Sequence, residues 1–297
     1  YRQMKIAVSA ASGRLGHAII SELITITEIE NIVAIVRDPA KLKIGQIETR
    51  VADYQSLEEM DAALQGIDTL IIISAPVAEG GDRLQLHRNV INAAVSAGVG
   101  KLIYTSLISN GGEASTLFSD FASINRRTEE YVKGSGLKWI IARNGLYLDL
   151  DVVQIRAAAD ADGLSQNNGN EGRCGYISIS ELAYAYARLA TNDSCNGKIL
   201  NLTGPCYTQT ELVESANEVY GIEVTYEPIS VEDNIKRLRE IPFFATRGKD
   251  VINMLCGCFQ CIENNIFDVP SDYLAACGRE PLILTKQMKT LLFPKEK

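Results

Sequence analysis

Lys5-Ile6-Ala7-Val8-Ser9-Ala10-Ala11-Ser12-Gly13-Arg14-Leu15-Gly16 decides the fold. An apolar run ends in small residues and passes at once into a helical stripe of Leu15, Ile19 and Leu23. The segment reads as strand, tight turn and helix. In such a turn small residues let the backbone approach an anion, whose charge is met by the N–H groups and positive dipole end of the helix. Gly13 permits the close approach, and Gly16 permits close packing of helix on strand. Ala10 replaces the first glycine of a G-x-x-G-x-x-G pattern. Alanine penalises positive φ, so the turn there has to be regular or slightly strained.

Working outward, short apolar runs alternate with amphipathic segments. Strands are expected at Lys5–Ser9, Asn31–Val36, Glu48–Val51, Thr69–Ser74, Lys101–Thr105 and Lys138–Arg143. Their nearly continuous apolar character suits a parallel sheet covered on both faces. Leu57, Met60 and Leu64 form a second helical stripe and Val90, Ala94 and Ala97 a third, with Gly66 and Gly98 just past them, where a left-handed residue is wanted. The rhythm breaks after about residue 145. Asp160–Gly175 reads as a polar loop. Tyr176–Ile179 and Lys198–Leu202 read as strands flanking a helix over Ser180–Leu189. Thr208-Gln209-Thr210-Glu211 has capping-box spacing ahead of a helix to Val219. From Val224 onward one strand precedes mainly helical segments that end near Phe293. The fold class is therefore α/β, a doubly wound parallel sheet with a smaller helix-rich C-terminal substrate lobe. Residues 1–150 form the nucleotide-type domain and 176–205 return to it, while 151–175 and 206–297 make the lobe.

The chain has 297 residues, and its 29 Lys+Arg against 37 Asp+Glu leave a net charge of −8. A chain this long suits about two folded units. The acidic balance argues against a nucleic-acid-binding surface, and 46% hydrophobic with 22% charged residues excludes disorder and fibres. The longest strongly apolar run, Leu70–Ile73, is far short of the roughly 20 residues of a membrane span. Nothing argues for secretion, and Met4 reads as the natural start, with Tyr1-Arg2-Gln3 added ahead of it. Seven scattered cysteines fit reduced thiols in a cytoplasmic protein. Cys256, Cys258 and Cys261 would need Cys277 to close a zinc site, so free thiols and no metal are the reading taken.

In an open α/β sheet, ligands bind outside the carboxyl ends of the strands. A dinucleotide pyrophosphate would meet Ser9 to Gly16, and the second strand ends at Arg37, a residue suited to the extra phosphate of NADP. Lys41 could assist it. Asp53 could reach the adenine amino group or cap the next helix. Ser74-Ala75-Pro76 and Thr105 sit at the tips expected to border the nicotinamide ribose.

The turn Ser9 to Gly16, Ala34-Ile35-Val36-Arg37-Asp38-Pro39-Ala40-Lys41, Val51-Ala52-Asp53-Tyr54, His87 to Ala94, Tyr104-Thr105-Ser106-Leu107 and Arg143-Asn144-Gly145 together resemble the NmrA-like atypical short-chain dehydrogenase/reductases. Within that group they look most like the type 2 NAD(P)H:quinone oxidoreductases. The resemblance covers roughly the first 150 residues and, more loosely, Asn201-Leu202-Thr203-Gly204. It implies an extended Rossmann domain with NADPH across the sheet edge. By position, Ser9, Ala11, Ser12, Gly13, Arg14 and Leu15 match the pyrophosphate loop and Arg37 the phosphate-selecting arginine. Ser74, Ala75 and Pro76 match the ribose segment. Asn144, Gly145, Leu146 and Tyr147 match the segment beside the nicotinamide. Two departures are Ala10 for the loop glycine and Asn125 where a family histidine is common.

Conventional relatives relay a proton through Tyr-x-x-x-Lys. The only such spacing here is Tyr1 to Lys5, at the N-terminal end of the first strand, which cannot be the catalytic pair. A quinone-like acceptor escapes that need, because hydride addition yields a stabilised anion that can be protonated by water. Asn125, Asn144 and Tyr147 are the candidates for oxyanion donor or slot wall. The expected function is NADPH-dependent hydride transfer to a quinone-like or carbonyl acceptor. The alternative is an NADP(H)-binding redox sensor acting through a protein partner. An isoflavone-reductase-like reading would need Lys133, which lies too far along its helix. The oligomeric state is left open, a homodimer included.

Overall fold

A computed structural model describes residues 4–77 and 81–291. The first half runs β1 (Ile6–Val8), α1 (Arg14–Leu23), β2 (Ile32–Val36), β3 (Glu48–Val51), α2 (Leu57–Leu64), β4 (Thr69–Ile72), α3 (Arg83–Ser96), β5 (Lys101–Leu107), α4 (Ser119–Lys133) and β6 (Lys138–Asn144). The second half continues with β7 (Leu146–Tyr147), α5 (Leu148–Asp160), β8 (Leu164–Asn167), β9 (Cys174–Ile177), α6 (Ile179–Thr191), β10 (Lys198–Leu202), β11 (Cys206–Tyr207), α7 (Gln209–Tyr220) and β12 (Thr225–Pro228). Five helices follow: α8 (Val231–Glu240), α9 (Pro242–Ala245), α10 (Lys249–Glu263), α11 (Tyr273–Cys277) and α12 (Leu284–Thr290). Phe293 lies outside the described residues.

Seven strands form one sheet in the order β10-β6-β5-β4-β1-β2-β3. Every neighbouring pair is parallel. The alternation of a strand explains how the sheet is sandwiched. Ile6 and Val8 point into a core built with Leu15, Ile19 and Leu23 of α1 and Leu182, Tyr186 and Leu189 of α6. Ala7 points the other way, onto Met60 and Leu64 of α2 and Val90 and Ala94 of α3. Gly66 and Gly98 end α2 and α3 with φ of 76° and 73°. β3 is the exposed edge, and its Glu48 is paired with Lys5 and Arg50, charges that discourage pairing with another chain.

The polar run 160–175 is not a loop throughout: β8 pairs with β12 and β9 with β7 and β11 inside it. Its asparagines work as internal connectors. Asn167 is buried and bonds Gln209, the Gly169 N–H and Tyr226. Asn168 donates to the Cys256 carbonyl and accepts from Asn234. The buried amides are satisfied by one another, which composition alone cannot distinguish from solvation. A third core gathers α5, α7, β9, α10 and α12 around Phe118, Tyr176, Phe267 and Met288.

Candidate active site

The strand order reverses between β1 and β4, and the loop Ser9–Gly13 sits at that crevice. The Ser9 N–H donates to Ile71 O at 3.1 Å and the Ala11 N–H to Ile35 O at 3.1 Å, so the turn is pinned to strands on both sides. A Cβ on Gly16 would stand 2.6 Å from Ala10 O and 2.8 Å from Ala11 Cα. No other residue lets α1 lie this close to β1. Ala10 has φ of +47° and is exposed. This is left-handed backbone that glycine adopts freely and alanine at a cost of about 1–2 kcal/mol. Of the two expectations for the turn, the strained one holds.

The helix that follows is left without a cap. Gly13 is its N-cap, no side chain bonds its first turn, and that turn holds no acidic residue. By contrast α2, α3, α6, α7 and α8 are capped by Ser56, Asp82, Ser178, Thr208 and Ser230. Free N–H groups at a helix start, beside exposed Ser12, Gly13 and Arg14 and buried Leu15, suit an anion. The Ser9 hydroxyl is differently engaged. It is buried, accepts from the Ile73 N–H at 3.1 Å and lies 2.5 Å from the Tyr54 hydroxyl, which donates to Ile73 O. It therefore ties β1 to the end of β4. The importance of Tyr54 was not readable in the sequence.

At the far tips, Arg37 is exposed and forms no ion pair among the described residues, and Lys41 is exposed nearby. Asp53 does not cap α2, since Ser56 does; its carboxylate accepts from the Gln55 N–H at 2.9 Å.

The segment after β4 is held by buried polar groups. The Ser74 N–H donates to Thr105 Oγ1 at 2.9 Å, and the Ala75 N–H donates to His87 Nε2 at 2.9 Å. Arg83 Nε donates to Ala75 O at 2.6 Å. Pro76, next in line, is exposed. His87 Nδ1 lies 2.8 Å from Thr128 Oγ1, whose proton goes to Ile124 O, so His87 is the neutral tautomer protonated at Nδ1. Burial, aided by the Arg83 charge, pushes His87 from 6.5 down to about 3. Asn125 is buried, and its side-chain oxygen accepts from Arg83 at 2.9 Å and from Tyr104 at 3.2 Å. It is bound into this scaffold through that oxygen. The positioning roles of His87 and Arg83 leave no mark in the sequence, because a lone histidine buried between two helices carries no pattern.

β6 ends beside them. Asn144 is buried, accepts from the Tyr186 hydroxyl at 2.6 Å, and its amide donates to the Tyr147 hydroxyl at 3.3 Å. Burial pushes the Tyr147 phenol up, so it stays protonated at neutral pH. A Cβ on Gly145 would meet Thr203 Oγ1 at 2.6 Å, and one on Gly175 would meet it at 2.2 Å, so the chain crosses here only through two glycines. Leu146 is half-buried and paired with Tyr176. Leu107, Phe121 and Leu146 share an apolar cluster with Met254, Cys258 and Phe259 of α10.

Four charged residues of α4, Arg126, Glu129, Glu130 and Lys133, are paired. Glu129 is buried and accepts from Ser106 Oγ at 2.6 Å, from Arg143 at 2.6 and 2.9 Å and from Arg126. Lys133 pairs with Glu130 at 2.6 Å, in the last turn of α4. Lys5 is held by Glu48, and Tyr1 lies outside the described residues. All seven cysteines are free. Cys256 packs with Leu238 and Ile252, Cys261 lies against Thr116, and Cys277 lies against a different core. Among the described residues no three His, Cys, Asp or Glu side chains converge as metal ligands would, and no helix is long and apolar enough to cross a membrane.

A parallel sheet with an uncapped helix at its switch point defines a dinucleotide-binding oxidoreductase fold. The chain belongs to the NAD(P)H-binding family, whose model matches residues 10–192. It is 34% identical over 240 residues to quinone oxidoreductase 2 of Escherichia coli, covering 80% of this chain and 82% of that one. An NmrA-like family domain-containing oxidoreductase of Aspergillus flavus is 28% identical over 240 residues, 77% of this chain and 76% of the other. The structure of E. coli NADPH-dependent quinone oxidoreductase complexed with NADPH superposes with a TM-score of 0.83 at 30% identity, covering 95% of this chain and 97% of that one. The NmrA-like, quinone-reductase-type branch and the NADP(H) cofactor expected from the sequence stand with these matches.

Two measurements follow from this geometry. Ala10→Gly removes an exposed methyl from left-handed backbone, so urea unfolding should show a gain of about 0.5–1 kcal/mol after the added freedom of the unfolded chain is deducted. Between about pH 6.5 and 3 the unfolded chain binds a proton at His87 that the folded chain refuses. Stability therefore falls with pH across that window. His87→Gln, which keeps an acceptor for Ala75, should flatten the slope measured by denaturation midpoints.

Proposed function

We propose that the chain is an NADPH-dependent reductase of quinone-like or carbonyl acceptors. The observation that carries this is the edge running from exposed Arg37, past the uncapped start of α1, to Asn144 and Tyr147. Ser12, Arg14 and Leu15 offer N–H groups to the pyrophosphate, Gly13, whose own N–H donates to Ala10 O at 3.0 Å, leaves room for it by having no side chain, and Ser9 and Ala11 hold the loop in place. Arg37 takes the 2′-phosphate, and Asp53 reaches the adenine. Ser74, Ala75, Pro76 and Thr105 line the nicotinamide ribose, and Asn144, Gly145 and Leu146 line the ring. NADPH supplies the hydride. The chain's own work is positioning and water exclusion. The lobe of 151–175 and 206–297 contributes the apolar wall. Tyr147 accepts from Asn144 and so keeps its own hydrogen free to donate to oxygen charge developing on the acceptor. Asn125 acts on the acceptor only indirectly, by fixing Arg83 and with it Ala75.

Purified protein mixed with NADPH and a panel of quinones should consume reduced nicotinamide well above the uncatalysed rate. NADPH binding without turnover on any quinone or carbonyl would replace this reading with that of a sensor working through a protein partner. Arg37→Ala should weaken NADPH binding by about 10–100-fold, the worth of a charged hydrogen bond, and leave NADH binding nearly unchanged.

A further inference from the structure

The helix α5 starts directly after the Leu146–Tyr147 strand, so its first turn follows at once on the residues assigned above to the nicotinamide ring and the acceptor. Two carboxylates lie there with different fates. Asp149 accepts from the Ile179 N–H at 2.8 Å and is committed to joining α5 to α6. Asp151 is half-buried and has no hydrogen-bond donor or cation among the described residues. It lies four residues past Tyr147, in the first turn of α5. Its neighbours are Cys174 and Tyr176 of β9 and Cys258 of α10, each of which its charge helps to push up after burial. Tyr176 is the registered partner of Leu146, and Cys174, Tyr176, Cys258 and Leu146 belong to one apolar cluster, so Asp151 packs against the same cluster as a residue assigned above to the nicotinamide side. The titratable groups facing Asp151 are thus two thiols and a phenol, all neutral, with Tyr147 at the head of its own helix.

We propose that Asp151 is the proton donor to the reduced acceptor, an inference that rests on the quinone-reductase reading above. The quinone gains two electrons with the hydride, and one of its oxygens becomes an oxyanion. The O–H bond of the Asp151 carboxyl breaks as the phenolic O–H forms, and water reaching the half-exposed carboxylate restores its proton. The hydride leaves a C–H bond of NADPH, which is oxidised to NADP+, and nothing else is oxidised or reduced. Burial without a cation pushes the carboxyl up to about 7, which keeps a large share of it protonated at neutral pH.

The test is the pH profile of quinone reduction by the whole chain with saturating NADPH. In the wild type, kcat should fall as pH rises through about 7. Asp151→Asn should lower kcat by roughly 10²-fold or more, abolish that fall and leave NADPH affinity unchanged, while Asp151→Glu restores the pH-dependent limb. Carboxyl carbon NMR of the wild type should show one aspartate titrating near neutrality, a readout that needs no turnover and stands even if the asparagine variant fails to fold. Wild-type turnover matched by Asp151→Asn at every pH, or an Asp151 carboxyl titrating in the ordinary carboxylate range, overturns this role and leaves the quinone reading intact. No turnover by the wild type on any acceptor overturns both.

Discussion

Everything else in the molecule depends on the contact of Gly16 with the backbone of Ala10 and Ala11. With space for no atom beyond hydrogen, this contact brings α1 down onto β1 and turns the start of the helix toward the switch point of the sheet. Ala10 bears the consequence, because the loop must turn through left-handed backbone to keep that packing. A methyl held at φ of +47° is tolerated since the residue is exposed and displaces nothing.

Around this anchor the site is built from neutral buried groups. His87, Thr105 and Asn144 fix the strand tips through short hydrogen bonds, and His87 remains uncharged because burial makes its cation too costly. The buried charges are paired or hydrogen-bonded: Arg83 holds Ala75 O and Asn125, and Glu129 is shared by Arg126, Arg143 and Ser106. The chain's net charge of −8 opposes an anionic cofactor at long range. In the proposed reading, the dipole of the uncapped helix, with Arg14 and Arg37 on the rim, supplies the attraction instead. The scaffold is satisfied by its own partners, while the start of α1 stays uncapped and the Tyr147 hydrogen unspent.

The amphipathic stripes of the first 145 residues, and the glycines that close them, predict the elements well because each depends on neighbours a few positions away. The Asp160–Gly175 run was misread for the opposite reason. Its asparagines look solvated, yet Asn167 and Asn168 find partners on α7, β12, α8 and α10, all more than 40 residues distant. The same holds for Tyr54, which joins Ser9 to Ile73, and for His87 and Arg83 of α3, which tie Ala75 to Thr128 and Asn125 of α4.

By itself, then, the sequence determined the strand–turn–helix at Ser9–Gly16, the sheet that follows from its repeats, the cofactor class and the want of a Tyr-x-x-x-Lys relay. These are local patterns, set by backbone geometry and hydrophobic period. Only the tertiary structure decided which polar groups are spent on the scaffold and which remain free: Asn125 bound to Arg83, Asp149 bound to Ile179, Asp151 left alone against β9 and α10. Whether a carboxyl is solvated, paired or stranded is a property of what packs around it, and packing is settled between elements that the sequence lists far apart.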